Sequence, residues 1–163
     1  FSTGAVRDAD LAIPGIDLDG SYGAADFVSW FDGHPDVPRE WPLEAASVAV
    51  IGNGNVALDV ARVLAKHPAD LLPTEIPDNV YPGLLASPVT DVHVFGRRGP
   101  MQVKFTPLEL RELGELRDVV RGAAPAPGTR PLLARRWAGR PPRGVGFPVF
   151  VYFNLFFLKT CNS

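Results

Sequence analysis

A five-residue β-rich run, Ser47–Ile51, leads directly into Gly52-Asn53-Gly54-Asn55-Val56-Ala57, and from there into an unbroken helical period ending near Ala65. This junction constrains the fold more than any other stretch. Gly52 permits a tight turn. Gly54 lets backbone approach a pyrophosphate, and Ala57, in place of a third glycine, still allows close helix–strand packing. The unpaired N–H groups of the helix's first turn then face an anion. The plainer alternative is a tight strand–helix turn that holds no ligand.

The rest of the chain supports an α/β pattern. Ser21 is a candidate cap for a short helix over Ala24–Phe31, and the three prolines of 34–42 mark a loop. Ser47–Ile51 reads as a buried parallel strand. Val56–Ala65 reads as a helix that ends before Pro68. Residues 69–88 carry four prolines and form a long connection in which a short helix has no definable place. Val89–Phe95 alternates apolar and polar residues as a second strand. Over Thr106–Leu116 a second clear helix is expected, with Thr106 as N-cap, Pro107 at the first helical position and Glu109 closing a Thr-x-x-Glu capping box. Strand, glycine turn, helix, connection, strand and helix together predict an α/β domain with a Rossmann-like parallel sheet, incomplete at its end.

The end of the second strand decides which dinucleotide would fit. An NAD site places a carboxylate there for the ribose 2′-OH. Here the sequence is Gly96-Arg97-Arg98-Gly99-Pro100, with two arginines and no acid. Guanidinium forks match the oxygens of a 2′-phosphate, so NADP is expected over NAD. The gap from Gly52 to Arg97 exceeds the usual twenty or so residues, and the long connection accounts for it. A solvated basic turn is the alternative for this pair.

Charge divides the chain. Residues 1–120 hold all 18 acids and nine basic residues, whereas 121–163 hold seven Lys or Arg and no acid. Within 121–144, 20 of 24 residues are Arg, Pro, Gly or Ala, and 145–158 is then almost wholly apolar. That apolar stretch is too short for a membrane span. It reads either as a low-complexity linker with a hydrophobic tail or as a reading frame lost near Val120, and on both readings it is dispensable for nucleotide binding. The overall net charge of −2 gives no general case for nucleic acid. Cys161 is the lone cysteine. It cannot pair internally, so a reducing, cytoplasmic compartment is expected. Phe1–Ala5 reads like the end of a buried strand, and the chain is expected to be a fragment whose N-terminus lies upstream.

Gly52 to Arg62, Gly96 to Pro100 and Phe105-Thr106-Pro107-Leu108-Glu109-Leu110-Arg111-Glu112 resemble adrenodoxin reductase and the adrenodoxin-reductase-type bacterial ferredoxin–NADP reductases. Ser2-Thr3-Gly4-Ala5, Pro14-Gly15 and Ala24–Trp30 fit as well, so the resemblance spans about residues 1–119. It implies two dinucleotide-binding domains, one for FAD and one for NADPH. Hydride passes from NADPH to the flavin, and electrons then go to a small acidic iron–sulfur protein such as a ferredoxin. Carried over by position, Asn53, Gly54, Asn55 and Val56 line the NADP phosphates, Arg97 and Arg98 hold the 2′-phosphate, and Glu109 contacts the adenosine end. Asp59 is the acidic residue near the reacting rings, assigned to proton handling. A helix-surface carboxylate is the alternative for it. Residues 1–14 are then a remnant of the FAD-binding domain and its crossover, 15–120 the NADP-binding domain, and 121–163 an unrelated tail.

The FAD fingerprint and the Trp-Gly motif of this family do not occur in the sequence, so FAD binding and turnover by this chain alone are not expected. Two other readings stay open. One is a glutamate-synthase small-subunit type of NADPH-dependent flavoprotein. The other is a non-catalytic, truncated chain that at most binds nucleotide.

Overall fold

A computed structural model describes residues 8, 14, 16–52, 54–96 and 104–117, together with the backbone of 121–124 and 149–153. Among the described residues there are four helices, α1 (Ala24–Phe31), α2 (Asn55–Ala65), α3 (Val80–Ala86) and α4 (Pro107–Gly114). Four strands are β1 (Ser47–Ile51), β2 (Asp91–Gly96), β3 (Arg121–Ala124) and β4 (Val149–Phe153). A 3-10 turn covers Pro68–Asp70. The chain divides into two compact units, Phe1–Leu43 with Pro68–Ala86, and Glu44–His67 with Ser87–Ser163.

The second unit is α/β with a parallel sheet in the order β1-β2-β4-β3. In the β1–β2 register Val48 faces Val92 and Val50 faces Val94. Val50, Val92 and Val94 are buried. Side chains at alternate positions share a face, so these valines line one side of the sheet. Helix α2 lies against β1, β2 and α4. It buries Ala57, Leu58, Val60, Ala61, Leu64 and Ala65, spaced as one helical stripe. On the other side Ile51 remains 52% exposed and His93 and Phe95 are half-buried. The expectation that β1 is a fully buried strand is therefore corrected. Among the described residues it is an edge strand with one face buried.

In the first unit α1 carries an aromatic core. Trp30 and Phe27 are buried, and the Trp41 ring meets Phe27 edge-on at 5.4 Å and 87°. The Trp30 indole N–H donates to the Arg39 carbonyl at 3.1 Å, and the Asn79 side-chain amide donates to the same oxygen at 2.6 Å. Ser21 does not cap α1. The N-cap is Gly23, and the Ala25 N–H donates to Asp8 Oδ2 at 2.9 Å. A carboxylate supplied from 17 residues upstream does the work of a local cap. Within the connection over 69–88, α3 tolerates Pro82 because it falls in the first turn, where no backbone N–H is needed.

Two strands come from the stretch expected to be an unrelated tail. β4 pairs with β2 from Val92↔Val149 to Gly96↔Phe153, and with β3 on its other side. Arg121-Gly-Ala-Ala124 has no β-branched pattern, so pairing with β4, not local propensity, makes it a strand. The expected strand end at Phe1–Ala5 lies outside the described residues.

Candidate functional site

The site forms where β1 ends and α2 begins, outside the carboxyl ends of the parallel strands, which is where open α/β sheets hold their ligands. Gly52 has φ of +142°, a region that L side chains rarely adopt. A Cβ there would lie 3.2 Å from the Cβ of Ala57. The Gly52 N–H donates to the Phe95 carbonyl at 2.8 Å, which fastens the turn to the end of β2. Gly54 is the N-cap of α2, and a Cβ there would meet no described atom within 4 Å. The space a side chain would fill is open. Among the described residues no side chain caps α2, and its first turn contains no acid. Its free N–H groups and dipole therefore favour an anion. Val56, at the second helical position, is 55% exposed.

Helix α4 packs beside α2. Thr106 is its N-cap and Pro107 its first residue, as the sequence predicts. The expected capping box is corrected, because the Thr106 side chain makes no cap bond. The Thr106 N–H instead donates to the Asn55 side-chain oxygen at 2.9 Å. Asn55 competes for the donor that Glu109 would otherwise accept. Glu109 Oε2 is buried and has no hydrogen-bond partner among the described residues.

One turn deeper, the Arg62 guanidinium joins two carboxylates. It pairs with Asp59 at 2.5 Å within α2 and with Glu112 on α4. The Asp59 side chain is 44% exposed, so the structure presents it as a paired carboxylate on the flank of α2. On β2, burial pushes the His93 imidazole below its usual value of 6.5, with the Asp91 carboxylate pulling the other way.

Comparison with known proteins bears on what this arrangement holds. No family model matches the chain. The NADPH-ferredoxin reductase FprA of Mycobacterium tuberculosis is 48% identical over 120 residues, which is 73% of this chain and 26% of that protein. The mitochondrial NADPH:adrenodoxin oxidoreductase of Arabidopsis thaliana is 46% identical over 112 residues, 68% of this chain and 23% of that protein. The matched stretch is similar to one part of the adrenodoxin-reductase-type ferredoxin–NADP reductases. A solved structure of Mycobacterium tuberculosis FprA in complex with NADPH agrees with a TM-score of 0.72 at 36% identity, covering 92% of this chain and 37% of that one. The chain spans about a quarter of the length of the curated reductases it matches.

Within the matched stretch the structure brings together Gly52, Gly54, Asn55, Val56 and Ala57 at the head of α2, and the Asn55–Thr106 bond ties this head to the start of α4, which carries Glu109. Asn53, Arg97 and Arg98 lie outside the described residues. Sequence reasoning missed Arg62 and Glu112 as a bridge between α2 and α4. Asp59 and Arg62 stand at i and i+3, a spacing that pairs side chains on a helix. The partner on α4 has no such local signal. Among the described residues no cluster of His, Cys, Asp or Glu could hold a metal, and no helix is long and apolar enough to cross a membrane.

Proposed function

We propose that this chain forms the NADPH-binding part of a flavin-dependent ferredoxin–NADP reductase, with a Rossmann-like fold around β1, α2 and β2. The observation that carries the reading is the junction at the head of α2. Gly52 holds a positive φ against Ala57, and Gly54 leaves open space in front of an uncapped helix N-terminus. A pyrophosphate fits such a cradle. The buried, unpartnered Glu109 Oε2 adds an acceptor suited to a hydroxyl or amine at the adenosine end.

In this reading Gly52, Asn53, Gly54, Asn55, Val56 and Ala57 form the phosphate turn, and Arg97 and Arg98 take the 2′-phosphate. Asp59 is assigned to proton handling near the reacting rings. Its pairing with Arg62 is equally what a helix-surface carboxylate would make, and the two roles call for separate tests. In the intact enzyme FAD takes hydride from NADPH and passes electrons to an iron–sulfur protein of the ferredoxin or adrenodoxin kind. No residue described here is assigned to FAD. Support for partner and cofactor comes from the relatives, named for NADPH, ferredoxin and adrenodoxin. A cytoplasmic location is proposed from the lone cysteine.

The test is titration of the purified chain with NADPH and NADH, with flavin absorbance recorded on the same sample. NADPH is expected to bind more tightly than NADH. Equal affinity for the two would remove the assignment of Arg97 and Arg98, and binding of neither would remove the reading itself.

A further inference from the structure

We infer that Asn55 is a positioning residue whose side chain keeps Glu109 free for the coenzyme by occupying the donor that Glu109 would otherwise cap. The inference rests on the coenzyme reading above and deepens it.

Thr106-Pro107-Leu108-Glu109 has the spacing of a capping box. In that motif the third-residue carboxylate reaches back to the N-cap N–H. Here the N–H is taken. It points at the Asn55 side chain at 2.9 Å, and a donor at that distance fixes the amide with its oxygen inward. The Glu109 carboxylate is thereby left without its local partner, and its Oε2 is shielded from solvent and unsatisfied among the described residues. Such an atom is costly to keep. A ligand donor, such as a ribose hydroxyl or the adenine amine, would satisfy it.

Position makes the arrangement specific. Asn55 is the first residue of α2, directly after the phosphate turn, and Thr106 is the N-cap of α4. One hydrogen bond between them spans 51 residues of sequence and sets the distance from the turn to Glu109. The Arg62–Glu112 pair joins the same two helices further along. With two points of attachment, α4 cannot pivot about either one. Removing Asn55 takes this partner from the Thr106 N–H, and Glu109 stands at the capping-box position from which a carboxylate reaches back to accept it. The helix keeps its cap and the coenzyme loses its acceptor.

The experiment is a double-mutant cycle on the full chain with Asn55→Ala, Glu109→Ala and the pair combined. Two nucleotides are titrated: NADPH, and adenosine 2′-monophosphate, which has no pyrophosphate. Each single variant is expected to weaken both nucleotides by about fivefold, and the pair no more than Glu109→Ala alone. Melting without nucleotide should couple in the opposite sense. Asn55→Ala alone should shift the melting point little, because Glu109 replaces the lost cap. In the Glu109→Ala background the same change should lower it by about 3 °C. The inference is overturned if Asn55→Ala weakens NADPH but not adenosine 2′-monophosphate, since the side chain would then touch the pyrophosphate directly. Additive losses in binding, or equal melting shifts in both backgrounds, overturn it as well. If the unmutated chain binds neither nucleotide, the coenzyme reading falls and takes this one with it, a result distinct from the failures of coupling.

Discussion

A Cβ on Gly52 would stand 3.2 Å from the Cβ of Ala57, so the turn and the helix it opens exist in this form only because both residues are small. Gly52→Ala meets two obstacles, the positive φ and the methyl of Ala57. It is expected to cost about 1–3 kcal/mol and to weaken NADPH binding with it. Ala57→Gly should cost about 1 kcal/mol of helix stability and leave NADPH affinity intact, because the packing distance is only relaxed. Melting curves and NADPH titration of both variants check this. Wild-type stability in Gly52→Ala would show that the turn is not constrained as described.

Much of this junction is legible in the sequence. Ser47–Ile51 and Ala24–Phe31 are strand and helix where periodicity puts them, and α2 starts one residue earlier than expected. Glycine spacing is a local signal, and so is a proline at the first helical position. Asn55 and Thr106 are not legible as partners, because nothing local marks a bond across 51 residues. The same bond explains why the capping box fails although its residues are present. The connection with four prolines hides α3, since Pro82 looks like a helix breaker until its first-turn position is known. The exposure of Ile51 could not be read either. Its run is apolar from Val48 onward, and a strand covered on one side can have the same composition as one covered on both.

Cofactor choice is expected to reside in Arg98. Loss of one charge-assisted phosphate contact costs about 1.5–3 kcal/mol. Arg98→Ala should therefore weaken NADPH by roughly tenfold or more and leave NADH nearly unchanged. Fluorescence titration with both nucleotides measures this. A parallel loss for NADH would mean that Arg98 acts on fold or pyrophosphate and not on the 2′-phosphate.

Arg62 holds Asp59 and Glu112 together across α2 and α4, with about a third of its side chain exposed. Arg62→Leu removes both pairs and is expected to lower stability by about 1–2 kcal/mol, solvent screening keeping each pair modest. Asp59→Asn removes one pair and should cost no more than about 1 kcal/mol, with NADPH affinity unchanged. Chemical denaturation of the two variants gives the ratio. If Asp59→Asn costs as much as Arg62→Leu, the bridge to Glu112 contributes nothing.

His93 adds a pH dependence of known sign. Burial lowers its value in the folded chain below the usual 6.5, so the folded state binds this proton less readily than the unfolded state. The contribution is fully present above pH 6.5 and is lost as pH falls through the folded value. The wild-type melting point should therefore drop relative to that of His93→Gln across this window, and the difference should level off below it. A pH-independent difference between the two proteins would show that His93 does not couple to folding.

The strands of residues 121–163 supply the remaining prediction. β4 runs beside β2 over the whole register from Val92 to Gly96, and β2 is otherwise flanked only by β1. A chain ending at residue 120 loses β3 and β4, which makes β2 an edge strand with unpaired backbone groups. Several ladder hydrogen bonds go with them, each worth about 0.5–1.5 kcal/mol net. The shortened chain is expected to melt at least about 5 °C below the full one. Its coenzyme affinity is a separate matter, because every residue assigned to NADPH lies between Gly52 and Glu109. Titrated at low temperature, where the shortened chain is still folded, it should bind NADPH as tightly as the full chain. Calorimetric melting and low-temperature titration of the same sample keep the two effects apart. An unchanged melting point would mean that β4 does not stabilise β2. A large loss of affinity in a chain that remains folded would mean that the strands shape the site itself, and that the order β1-β2-β4-β3 matters to the coenzyme as well as to the sheet.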